Sequence, residues 1–170
     1  AWFPAVGVHL SLPVALAMPA APDVTPIDLL VRGTDNLNYW AVRVTPNTAG
    51  NDTQIIEVVN GVETVRAAAD VDWTASGTDN VRVDVSGTTI NVYAKKAGAT
   101  EWSLVVFYVG MTTQLNSTGI GAQYYSTTAG PGLTEFAPVV QASEFYNYLT
   151  LTATTADAAT VTITRLTLSV

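Results

Sequence analysis

Apolar and polar residues alternate along most of this chain with a period of two, the period of a β-strand that buries one face. The plainest case is DNVRVDVSGTTINVYA, residues 79–94, where Val81, Val83 and Val85 alternate with Arg82 and Asp84. Ser86-Gly87 turns the chain, and Ile90 and Val92 carry the apolar face into the return strand. A second hairpin is QIIEVVNGVETVRA, residues 54–67, whose Asn60-Gly61 supplies the two positive φ angles of a type I′ turn. Pairing outward from that turn sets Val59 opposite Val62, Val58 opposite Glu63, Glu57 opposite Thr64 and Ile56 opposite Val65. Glu57 and Arg66 then form an exposed diagonal pair, worth at most about 1 kcal/mol.

Upstream, IDLLVRG (27–33) and NYWAVRV (38–44) flank the turn signal Thr34-Asp35-Asn36. Trp40, Val42 and Val44 share one face of the second strand, with Tyr39, Ala41 and Arg43 on the other. TEWSLVVFYV (100–109) is almost continuously apolar, which predicts a strand covered on both faces. Trp40 and Trp102 are accordingly assigned to the core. GIGAQYYS (119–126), NYLTLTA (147–153) and TVTITRLTLSV (160–170) predict further strands. The apolar phase slips between Ile163 and Leu166, which predicts a β-bulge at Thr164-Arg165. Residues 127–146 read as a long loop with one short helical turn. No stretch carries a 3.6-residue period. Ten to twelve short strands with turn signals between them predict an all-β chain of two antiparallel sheets packed as a sandwich.

Residues 5–21 (AVGVHLSLPVALAMPAA) are apolar, yet too short and too interrupted by His9, Ser11 and Pro13 to span a membrane. Pro4, Pro13, Pro19 and Pro22 forbid a long helix. Residues 1–26 therefore read as an apolar arm or a first strand, ahead of a sandwich domain at 27–170. An arm of this kind needs cover, and a neighbouring subunit of an assembly is the expected cover. Val6, Val8, Leu10, Leu12, Val14 and Leu16 are the expected contacts.

Thr and Val are the commonest strand formers in a composition that is 48% hydrophobic but only 12% charged, so the exterior is sparsely charged rather than the chain disordered. A net charge of −7 argues against nucleic acid, which needs clustered Lys and Arg. With no Cys and one His, disulfides and thiolate chemistry are excluded and a zinc site nearly so. The carboxylates are scattered. Asp70 and Asp72, alternating on one strand face beside Trp73, come nearest to a pair, and no G-x-S-x-G motif occurs, so no enzyme is expected.

LLVRGTDNLNYWAVRV (29–44), followed by the two hairpins above, resembles the concanavalin-like, laminin-G-like jelly-roll domains. In these an Arg-ended strand leads through Asp-x-x-Asn-Tyr to Val-Arg-Val, then to an Asn-Gly hairpin and a Val-x-Val-x-Gly hairpin. The resemblance covers about residues 27–125 and the closing strand; residues 1–26 depart from the family's usual opening strand. It implies a sandwich that binds glycans on a sheet or its rim loops, as occurs in secreted bacterial proteins and in the virions of tailed phages. Exposed aromatic faces would carry that binding, with Tyr39, Arg43, Tyr93, Tyr124 and Tyr125 as candidates. Ca²⁺ is the one cofactor implied, with oxygen ligands from Asp35, Asn36, Asp79 and Asn80, residues that also simply favour turns. The expected function is a non-catalytic structural and adhesive module of a phage virion, on its tail or capsid surface. Its expected partners are copies of itself, other virion subunits and a surface glycan, and its expected place is the virion or the extracellular space. A secreted carbohydrate-binding module is the alternative, and a glycoside hydrolase of the same fold the third reading.

Overall fold

The alternating segments form strands where the period places them. The computed structural model describes residues 8–126, 129–137 and 139–142. These contain β1 (Val8–Ala17), β2 (Ile27–Asp35), β3 (Asn38–Val44), β4 (Thr53–Val59), β5 (Val62–Ala69), β6 (Thr78–Ser86), β7 (Thr89–Lys95), β8 (Ser103–Val109), β9 (Gly119–Tyr124), β10 (Gly132–Phe136) and β11 (Val139–Ala142). One sheet runs β5-β4-β3-β2-β9 and has five strands. The other runs β10-β1-β6-β7-β8, with β11 also on β1, and has six. All the pairings are antiparallel. The core lies between the sheets, where Leu29, Val31, Trp40, Val42 and Ile55 meet Leu12, Val83, Ile90 and Val92.

Within the apolar arm, Val8–Ala17 form a strand of the sandwich. β1 pairs with β6 along one side and with β10 and β11 along the other. Leu10, Leu12, Val14 and Leu16 point inward and are at most 2% exposed. The expectation that they contact a neighbouring subunit is therefore wrong for these four: their cover is the chain's own opposite sheet. Residue 6 and the side chain of Val8 lie outside the described residues.

Three other expectations need correction. Residues 127–146 are not simply a loop, because β10 and β11 lie within them and close the sheet against β1. β8 is not covered on both faces. It is an edge strand, and a register shift opposite Val92/Tyr93 leaves Leu104, Phe107 and Val109 more than half exposed. Asp70 and Asp72 do not share a strand face, since both lie beyond the end of β5 and Asp72 has a positive φ of 57°. The strands expected at 147–153 and 160–170, with their bulge, lie outside the described residues.

The Asn60-Gly61 turn has the expected geometry, with φ of 52° and 78°, and the β4–β5 register pairs the four residue couples as read from the turn. Gly61→Val places a β-branched side chain at this positive φ, with Leu37 Cδ2 only 3.3 Å from the new Cβ. A loss of about 1–3 kcal/mol is expected, read as a lower urea midpoint. An unchanged midpoint would contradict the turn. Gly119 answers a tighter demand, because a Cβ there would stand 2.3 Å from the carbonyl oxygen of Gly33. β2 and β9 thus approach at a point that only glycine fits.

Candidate functional site

Two polar networks lie on either side of the five-stranded sheet, and they differ in access. On the inner side, Glu57 is 4% exposed rather than part of a surface pair. It accepts from Arg66 and from Thr113 Oγ1, the latter at 2.5 Å. Thr113 Oγ1 in turn receives the indole N–H of Trp40 at 3.1 Å, and Trp40 stacks on Tyr108 with centroids 5.5 Å apart. This network fastens the segment after β8 over the core.

The outer side is different. Register sets Gln54, Arg43, Asp28 and Gln123 in one row across β4, β3, β2 and β9. The next row holds Ile56, Ala41 and Leu30, and the one beyond it Glu63, Val58 and Tyr39. Arg43 bridges the rows. Its Nε and Nη2 donate to both oxygens of Asp28 at 2.8 Å, while Nη1 and Nη2 donate to Glu63 at 3.1 Å. That reach carries the Arg43 stem across Ala41 and Ile56, which are at most 1% exposed on this outer face. Tyr125 closes the network: its hydroxyl donates to Asp28 Oδ2 at 2.6 Å and accepts from Arg43, whose guanidinium lies 5.1 Å from the ring centroid.

The electrostatics keep these groups in fixed states. Hydrogen bonding to Asp28 raises the Arg43 pKa, so the guanidinium is permanently charged. Burial, followed by the bond to Asp28, pushes the Tyr125 phenol above its ordinary value and keeps it a proton donor at any physiological pH. Burial also raises Tyr39. Asp28 is 1% exposed and fully engaged, whereas the Glu63 carboxylate is 43% exposed and holds free lone pairs toward solvent.

Beside this network lies a cavity of about 330 Å³, lined by Leu30, Thr34, Asp35, Asn36, Tyr39 and Gln123 among others. Tyr39 forms the wall between cavity and network, its hydroxyl in a long 3.5 Å contact with Gln123 Oε1. The cavity is roomy enough for a sugar ring.

The structure thus unites Tyr39, Arg43 and Tyr125 and separates the other two glycan candidates. Tyr93 is on the outer face of the six-stranded sheet, and Tyr124 at the end of β9 accepts from the Leu133 amide. Tyr39 is no open platform, being 8% exposed. The expected calcium ligands do not meet. Asp35 and Asn36 sit in the β2–β3 turn, where Asp35 accepts from the Leu37 amide, which lowers its pKa. Asp79 is buried in the other sheet with its two oxygens on the amides of Thr74 and Ala97, and Asn80 faces Lys95. Among the described residues no group of three or more His, Cys, Asp or Glu is placed to hold a metal ion. Sequence reasoning missed Asp28, Glu63 and Gln123, although the predicted β4–β5 register already placed Glu63 beside Val58.

No family model matches the sequence, and no curated protein matches it significantly. Solved structures do match in fold. The carbohydrate binding module CBM66 from Bacillus subtilis aligns with a TM-score of 0.58 at 12% identity, over 76% of this chain and 74% of that one. The fold is a concanavalin-like β-sandwich. Sheep galectin-11 aligns with a TM-score of 0.57 at 6% identity, over 77% of this chain and 90% of its own. The GH43 protein BlXynB from Bacillus licheniformis aligns with a TM-score of 0.58 at 11% identity over 78% of this chain, which spans only 28% of that larger one.

Proposed function

We propose that this chain is a non-catalytic carbohydrate-binding module that holds a neutral saccharide on the outer face of its five-stranded sheet. The observation that carries the reading is the pre-ordered Asp28–Arg43–Glu63–Tyr125 network beside the Tyr39 cavity. Sugars present hydroxyl pairs, and a carboxylate fixed by a guanidinium accepts such pairs without first giving up rotamer freedom. The local balance favours a neutral ligand: Asp28, Glu63 and Asp35 outnumber Arg43. The carboxylates Asp28 and Glu63 both accept from one guanidinium, so neither is poised as the proton donor that glycoside hydrolysis requires. Proteins of this fold whose names declare carbohydrate binding support the same class. Adhesion on a virion keeps as support the family resemblance and the sparsely charged, Thr-rich composition, but no longer the apolar stretch Val8–Ala17, which is strand β1.

A glycan array tests the proposal. The wild-type chain is expected to retain neutral oligosaccharides, and Glu63→Ala to bind them at least about tenfold more weakly while melting as the wild type does. No retained neutral glycan, or equal retention by Glu63→Ala, would overturn it.

A further inference from the structure

The outer face of the six-stranded sheet carries chemistry of the opposite sign. Of the chain's seven cations, Arg43 and Arg66 are in carboxylate pairs, Lys96 lies 3.9 Å from Asp72, and Arg32 is buried. Arg165 lies outside the described residues; Arg82, with its Nε on Asp84, and Lys95 remain, and the sheet register brings them together. Arg82 sits opposite Tyr93 and Tyr93 opposite Leu104, while Lys95 sits opposite Asn80, with Trp102 just before β8. The Arg82 guanidinium lies 4.3 Å from the Tyr93 ring centroid and 5.0 Å from that of Trp102, and Lys95 Nζ lies 5.2 Å from Trp102. Trp102 is therefore a half-exposed outer residue, not the core residue its sequence suggested.

Asp84 pairs with Arg82 and offsets one of the two positive charges, leaving that of Lys95. One oxygen accepts from Ser11 Oγ at 2.6 Å and the other from Arg82 Nε at 3.1 Å, which orients the guanidinium through its inner edge. Neither Nη of Arg82 nor Nζ of Lys95 has a hydrogen-bond or ion-pair partner among the described residues. Lys95 thus brings a second cation to the same indole with no carboxylate of its own among the described residues, on a molecule whose net charge is −7.

We infer that Arg82, Lys95 and Trp102 form a second binding site, for the carboxylate of an acidic saccharide such as a uronate. The free Nη fork matches a planar carboxylate, Lys95 adds a point charge, and the Trp102 and Tyr93 rings lie against the C–H faces of the sugar. A bare phosphate would use the cations and leave the aromatics idle. This site is independent of the neutral-saccharide reading, since it lies on the other sheet.

Calorimetric titration of the whole chain with oligogalacturonate and with its methyl ester tests the inference. The acid form is expected to bind, more weakly as ionic strength rises, and the ester about tenfold or more below it. Lys95→Gln, a surface change, should weaken the acid form about tenfold. Absent binding of the acid form, equal binding of acid and ester, or an unaffected Lys95→Gln variant would overturn the site. Loss of acid binding in Glu63→Ala but not in Lys95→Gln would also overturn it, by placing the ligand on the five-stranded sheet.

Discussion

A chain lacking residues 1–17 is expected not to fold. The truncation takes away β1, a strand hydrogen-bonded on both sides, leaves β6 with β7 alone and takes from β10 and β11 the strand they pair with. Leu10, Leu12, Val14 and Leu16 leave the core with it. At about 1.5–3 kcal/mol for each buried side chain, the four contribute roughly 6–12 kcal/mol, comparable to the whole stability of a typical domain. Leu12→Ala is the graded version, expected to cost about 2–5 kcal/mol because Leu12 is 0% exposed. Circular dichroism and urea melts read both variants. A truncated chain that still unfolds cooperatively would show that β1 is dispensable.

Arg43→Met is expected to cost about 3–5 kcal/mol, the usual penalty for leaving a buried charge unpaired. Asp28 is 1% exposed and takes both its guanidinium bonds from Arg43; with Met in place only the Tyr125 hydroxyl remains on its carboxylate. The double variant Asp28→Asn with Arg43→Met removes the orphaned charge and should recover most of the loss, though not the saccharide binding. A double-mutant cycle in urea measures the coupling. A single-variant loss under about 1 kcal/mol would mean that the network is ornamental to the fold.

Much of this architecture is legible in residue order because its hairpins are local. Asn60-Gly61 and Ser86-Gly87 set their registers within a few residues, and Trp40, Val42 and Val44 face the core as their alternation predicts. What escapes the sequence is non-local. The Tyr125 bond to Asp28 spans 97 positions, so Tyr125 and Arg43 could be suspected separately but not joined. Strand β1 is one of two readings of residues 1–26, and it stands only beside the arm reading because Pro13 in its middle argues against a central strand. The proline is tolerated because it falls between the stretch paired with β11, which ends at Ser11, and the stretch paired with β10, which begins at Val14, where no ladder partner needs its missing N–H. β8 misled through its apolar run, which a bulged edge strand and a covered central strand share.

Amide chemical-shift mapping during titration with a neutral oligosaccharide that the wild-type chain retains tests the central claim most directly. The account predicts shifts concentrated at Asp28, Tyr39, Arg43, Glu63, Gln123 and Tyr125, with β6 and β7 unmoved. Shifts confined to the six-stranded sheet, or spread evenly with no saturation, would contradict it.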